Sequence, residues 1–179
     1  MESGQRRDRV IDMRRIGSIL ALALTLAVIP TTAHAGGGRF SDDDFSGHEA
    51  NIEALAHAGI TQGCTPTTFC PDQAVTRGQM AAFLHRSPVG DTPYTHPGFA
   101  DTIGHPFAND IAWLAGAAIT QGCDTDRFCP DDPVTRAQMA AFLTRALDLP
   151  PPAVTGRFTD TTGHFFADEI DRLAAAGIT

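Results

Sequence analysis

Lysine is absent from this chain: all 13 basic residues are arginine, set against 21 acidic ones, for a formal net charge of −8. Nucleic acids and anionic membrane surfaces select clustered positive charge, so a chain this acidic is a poor match to either, and no nucleic-acid partner is expected. Aromatic residues other than phenylalanine are nearly missing, with 1 Trp and 1 Tyr. No stretch alternates Val, Ile or Thr with polar residues over the length of a strand, which points away from a β domain and toward a mainly helical one. No apolar run reaches the roughly 18 residues that span a bilayer. Gly-x-Ser-x-Gly and His-Glu-x-x-His are both missing, so no hydrolase motif is available and the chain reads as a non-enzyme that calls for no cofactor and no metal.

What the chain does contain is a repeat. Ile119 to Arg145 restates Ile60 to Arg86 at an offset of 59, with 19 of 27 aligned residues identical. A third copy begins at Phe158 and reaches Gly177-Ile178-Thr179. A fixed period of this size announces stacked supersecondary units, none of which buries its apolar face alone.

Residues 1–35 are expected to lie outside the fold. Arg6, Arg7, Arg9, Arg14 and Arg15 form a basic start, Ile16 to Pro30 is mostly apolar, and Ala33-His34-Ala35 supplies a small-x-small cleavage pattern. That is the form of a secretory signal peptide, which leaves no integral membrane span after its removal. Five arginines against Glu2, Asp8 and Asp12 give this segment +2, so the remainder carries about −10. Residues 36–39 are a short leader. The first unit with its linker occupies 40–98, the second 99–157, and a partial third 158–179.

Each unit reads as helix, loop, helix. Ile52, Leu55, Ala56 and Ile60 recur as Ile111, Leu114, Ala115 and Ile119, then as Ile170, Leu173, Ala174 and Ile178. This spacing makes one apolar helical stripe. Gly59 and Gly177 stand where the chain leaves that helix through a left-handed residue. Ala118 takes this place in the second copy, and its Cβ costs about 1–2 kcal/mol in that conformation, so the turn is expected to differ there. A second helix opens at Thr76-Arg77-Gly78-Gln79 and at Thr135-Arg136-Ala137-Gln138. Thr-x-x-Gln before an apolar run is a capping box, which gives Thr76, Gln79, Thr135 and Gln138 a structural task.

All four cysteines lie between the two helices, at equivalent places: Cys64 and Cys70, Cys123 and Cys129. In an exported chain the simplest pairing is within each copy. A loop so small gains roughly 2 kcal/mol in the chain-entropy account. Zinc is disfavoured, because the spacing is wrong and no His recurs beside both pairs. The clusters Asp42-Asp43-Asp44 and Asp131-Asp132 lack the ligand spacing of an EF-hand loop and read as solvated charge.

Arg77 and Arg136 are not explained by capping, since a cation in the first turn opposes the helix dipole. Each therefore needs a partner. The internal candidates are Asp72 and Asp131, five residues earlier; the external one is a carboxylate held in two parallel hydrogen bonds. His105 and His164 read as turn-capping imidazoles, and Trp113, unmatched in the other copies, as packing.

Taken together, Phe-x-Asp, a helix ending near Gly-Ile, Phe-x-Pro, and Thr-Arg-x-Gln before an Ala-rich helix resemble the S-layer homology (SLH) family. The resemblance covers 40–86 and 99–145 fully and 158–179 in part. Gln79 and Gln138 stand where the family has an acidic residue, and the third motif stops before its own Thr-Arg-x-Gln. The resemblance implies a pseudo-threefold, spindle-like helical domain whose first helices form a central bundle, with grooves between motifs. It also implies non-covalent attachment to bacterial cell-wall polysaccharide, often pyruvylated, and hence a secreted protein of the cell surface. Its glycan-binding residues would be Arg77, Arg136, Asp101, Asp160, Phe107 and Phe166, although the Asp residues also suit turn capping and the Phe residues packing. Substituting both arginines by alanine is expected to abolish wall binding and leave the fold intact. The alternatives are a self-assembling S-layer component, in which another copy completes the third motif, and the anchor fragment of a longer secreted enzyme.

Overall fold

The computed structural model describes residues 38–94 and 96–179. The expected signal peptide at 1–35, and the first half of the leader, lie outside the described residues. Among the described residues five α-helices follow one another: α1 (Glu49–His57), α2 (Arg77–Arg86), α3 (Ala108–Gly116), α4 (Arg136–Ala146) and α5 (Ala167–Ala175). Among the described residues there is no strand, only isolated bridges pairing Thr65 with Thr68 and Thr76 with Pro133. No described helix is long and apolar enough to cross a membrane.

The ends of these helices follow from local chemistry. Thr76 Oγ1 accepts from Gln79 N at 3.2 Å while Gln79 Oε1 accepts from Thr76 N at 2.9 Å. Thr135 and Gln138 do the same at 3.2 and 3.1 Å. Each box satisfies two amide groups that a helix start otherwise leaves open. His105 Nδ1 accepts from Phe107 N and His164 Nδ1 from Phe166 N, which closes the turns before α3 and α5. The first unit has no such His, and Ser46 Oγ accepts from His48 N in its place.

The turn at Ala118 does not differ from its counterparts. Ala118 adopts φ +58, close to Gly59 at +73 and Gly177 at +70. Its amide meets Ala115 O and that of Ile119 meets Leu114 O, as Gly59 and Ile60 do in the first unit. Packing of Ile119, which is 3% exposed, outweighs the strain. Ala118→Gly is therefore expected to raise stability by about 1 kcal/mol, read as a shift in a urea unfolding midpoint. A lowered midpoint would show that no strain is held there.

The packing unit is not the sequence repeat. α2 packs on α3 and α4 on α5, so the second helix of one unit pairs with the first helix of the next. No pair drawn from α1, α3 and α5 packs as closely among the described residues. The main core spans the first junction, with Met80 and Leu84 from α2, Ile111 and Leu114 from α3, Phe142 from α4, and Phe99 and Phe128 from the loops. A smaller cluster of Phe40, Ile52 and Ala56 lies under Phe69. The stripe residues divide accordingly. Leu114 is fully buried under α2 and Leu173 is 6% exposed under α4. Leu55, expected in the same stripe, is 37% exposed, because among the described residues no second helix covers α1. Ile178, also expected in the stripe, is 48% exposed.

Disulfides join Cys64 to Cys70 and Cys123 to Cys129, with Cα atoms 6.1 and 6.0 Å apart. Those separations are ordinary for the bond. Each staples the loop that leads into α2 or α4.

Candidate groove and arginine sites

The N-terminus of α2 is seated on the loop of the following unit. Arg77 N donates to Asp132 O at 2.9 Å, Gly78 N to Pro130 O at 2.8 Å, and Val134 N to Val75 O at 2.9 Å. The approach is close enough that a Cβ on Gly78 would lie 3.1 Å from the rings of His105 and Phe107 and 3.2 Å from Pro130 O. Carbonyls of the second unit thus serve amides that α2 cannot satisfy internally.

The Arg77 side chain completes this seat. It is 5% exposed. Its Nε donates to Phe128 O at 2.7 Å, and its guanidinium lies 4.6 Å from the Phe128 centroid and 5.5 Å from that of Phe142. Burial pulls its pKa below the ordinary value, partly offset by Asp132 and Asp101. Asp72, the expected internal partner, is exposed and makes no ion pair with it. The reason is direction: the helix start faces the next unit, so the side chain meets a loop about fifty residues ahead. One guanidinium nitrogen, Nη2, is buried without a partner.

Arg136, at the same motif position, is exposed. It borders a cleft of about 360 Å³ with Asp160, Thr161, His164 and an apolar floor that includes Ile170 and Leu173. Two of the expected binding residues, Arg136 and Asp160, are therefore brought to one cleft, while Arg77 is enclosed.

Asp101 is a loop clamp. Its carboxylate accepts from Phe128 N at 2.8 Å and Cys129 N at 2.7 Å. Asp42 does the same to Phe69 N and Cys70 N at 2.7 and 2.8 Å. Burial would raise the Asp101 carboxyl, but these amides and Arg127 together hold it below its ordinary value. The Asp42 carboxyl is lowered chiefly by the Phe69 amide. Asp160 is exposed. Asp101 also forms the one close trio of potential metal-binding groups among the described residues, with Cys123 and Cys129. Both sulfurs there are used in a disulfide and both Asp101 oxygens accept amides, so the trio has no free donor set.

The expectation of solvated charge fails for Asp43. It is fully buried, with neither carboxylate oxygen hydrogen-bonded. Its counterparts Thr102 and Thr161 donate their hydroxyls to Phe99 O and Phe158 O, both at 2.8 Å. Burial, with Glu53 and Glu49 nearby, pushes the Asp43 carboxyl above its ordinary value. The folded chain therefore favours the protonated form, and the penalty grows as pH rises from about 4 through the raised folded value. Asp43→Thr is expected to stabilise by about 1–3 kcal/mol at pH 7, and by much less below pH 4, in paired thermal melts. An equal gain at both pH values would show that the carboxylate charge is not the cause.

The first junction also carries an open groove of about 170 Å³. It is lined by the Cys64–Cys70 staple, Gln62, Gln73, Gln79, Arg86 and Phe107. Phe107, expected at a glycan site, does face it. Phe166 lies instead against Phe165, with ring centroids 4.9 Å apart, and under Arg145. Arg86 was not singled out from the sequence, although Arg86 and Arg145 recur one repeat apart at the ends of α2 and α4. Trp113 is buried packing: it is 4% exposed, donates Nε1 to Thr92 O at 2.8 Å, and stacks on His85.

Residues 41–81 and 98–140 match the S-layer homology domain. An S-layer protein of Bacillus licheniformis is 25% identical over 172 residues, 92% of this chain and 19% of its own length. An amylopullulanase of Thermoanaerobacterium thermosulfurigenes is 34% identical over 100 residues, covering 55% of this chain and 5% of its own. An S-layer-related protein of Niallia circulans is 38% identical over 77 residues, covering 41% and 5% respectively. The chain thus spans about a fifth or less of the length of these relatives.

Proposed function

Because this chain carries S-layer homology repeats, we propose that it binds cell-wall polysaccharide non-covalently and anchors a protein to the bacterial envelope. The observation that carries the reading is the groove at the junction of the two matched repeats, where Phe107, three glutamines and Arg86 converge. An aromatic face with amide donors and a cation suits a polar ring bearing an acidic group. A groove of about 170 Å³ holds one substituent or the edge of one ring, rather than enclosing an oligosaccharide. The cleft at Arg136 and Asp160 is a second contact of the same chemistry. The basic, apolar and small-residue order of residues 1–35 supports export, which a surface location requires. The relatives named as S-layer proteins and as amylopullulanase support a module that serves longer proteins of differing activity.

The test is a pull-down of residues 36–179 on cell-wall sacculi, with and without their secondary polysaccharide. Retention on the intact wall alone is the expected result. Equal retention on both, or on neither, would remove the polysaccharide reading.

A further inference from the structure

We propose that Arg86 is the residue that receives the acidic substituent of the bound polysaccharide, while Arg77 holds the groove together from within. This inference rests on the proposed wall-binding function and assigns its specificity to one side chain.

The two junctions treat the arginine at the end of their second helix differently. Arg145, at the end of α4, is tied down. Its Nη2 donates to Glu169 Oε1 at 2.9 Å, its Nη1 to Ile119 O at 3.2 Å, and its guanidinium lies 5.9 Å from the Phe166 centroid. Arg86 has the same aromatic neighbour, with its guanidinium 5.9 Å from the Phe107 centroid. It lacks the acid. The counterpart of Glu169 is Asp110, one methylene shorter, and Asp110 is bonded to His85 Nδ1 at 2.7 Å. His85, which replaces Thr144, is itself fixed by stacking on Trp113 at 5.0 Å and 19°. His85 therefore engages the carboxylate that stands where Glu169 pairs with Arg145 in the next unit. Among the described residues Arg86 makes no ion pair and no side-chain hydrogen bond, is exposed, and lines the groove.

The surroundings suit an anion carried on a sugar. Gln79 uses its Oε1 on Thr76 N, which leaves its amide hydrogens for a ligand. Gln62 and Gln73 add neutral donors. Phe107 offers an apolar face beside the cation, and a guanidinium presents two parallel donors that match a carboxylate. In a chain with a formal net charge of −8, a guanidinium left unpaired by its own acids is a specific place for a foreign one. Arg77 cannot serve, since it is 5% exposed and engaged with Phe128.

The experiment measures retention on intact sacculi for the wild-type chain, Arg86→Ala, Arg86→Lys, the pair His85→Thr with Asp110→Glu, and Arg157→Ala as a control that removes the same charge elsewhere. Melting temperatures accompany each variant. Arg86→Ala is expected to reduce affinity at least tenfold, and Arg86→Lys by less, because it keeps charge without the paired donors. The His85/Asp110 pair variant, which recreates the Glu169-type clamp, is expected to reduce affinity with Arg86 still present. Arg157→Ala should bind as wild type. Chemical reduction of the wall's carboxylates should bring wild-type retention down to that of Arg86→Ala. If the wild-type chain binds and a folded Arg86→Ala binds equally well, the assignment of Arg86 fails while the anchor reading stands. If the wild-type chain itself does not bind, both fall.

Discussion

Phe128→Ala is expected to destabilise the described domain by about 3–5 kcal/mol, the range for removing a fully buried aromatic ring. Phe128 has no exposed surface, lies 5.7 Å from the Phe99 centroid, and supports the Arg77 guanidinium on its face. Its loss would empty the middle of the first junction, where α2, α3 and the second loop meet. The control is Phe69→Ala, the same motif position one unit earlier, which is partly buried against Phe40 and, among the described residues, has no arginine over its ring. Urea unfolding should show Phe69→Ala costing less than half as much. Equal costs would mean that the loop, and not the junction between units, is what the phenylalanine stabilises.

Arg77→Ala is expected to cost about 2–4 kcal/mol, combining a hydrogen bond to a charged group, a cation–π contact and lost packing of the stem. Arg136→Ala should change stability by no more than about 0.5 kcal/mol, as for an exposed surface position. Arg77→Met should recover part of the loss, because its side chain refills the space of the arginine stem without returning the buried and unpartnered Nη2. Phe128 and Arg77 touch, so the double variant should cost less than the two single ones added together. Matching costs for the Arg77 and Arg136 variants would contradict the enclosed geometry. The expectation that both arginines can be removed with the fold intact does not survive this structure, since Arg77 sits inside the junction. Loss of wall binding in such a double variant would report loosened packing as much as a lost contact, which is why Arg86 is the cleaner probe.

Much of the architecture was legible because its causes are local. The period of 59 announced stacked units. Thr76 and Gln79, and Thr135 and Gln138, form their boxes within four residues of chain. The cysteines pair across six residues, and the imidazoles of His105 and His164 close turns two residues on. Propensity and short-range hydrogen bonds act at these distances, so reading one unit was enough.

The candidate site was legible only in part. Phe107 does face a groove, and Arg136 shares a cleft with Asp160. Repetition suggested that Arg77 and Arg136 would share one fate, yet one is enclosed by Phe128, 51 residues away, and the other is exposed. By sequence Asp43 is one carboxylate among three, and only packing shows it buried where the other units place a threonine. Among the described residues Arg86 has no acidic partner, while Asp110, on a different helix, bonds His85. The units, their helix starts, their staples and their turns can be read from the chain alone, since each depends on near neighbours along it. Tertiary structure alone decided which of several identical arginines is buried, tied or available, because a side chain's charge partners are set by what packs against it from another unit.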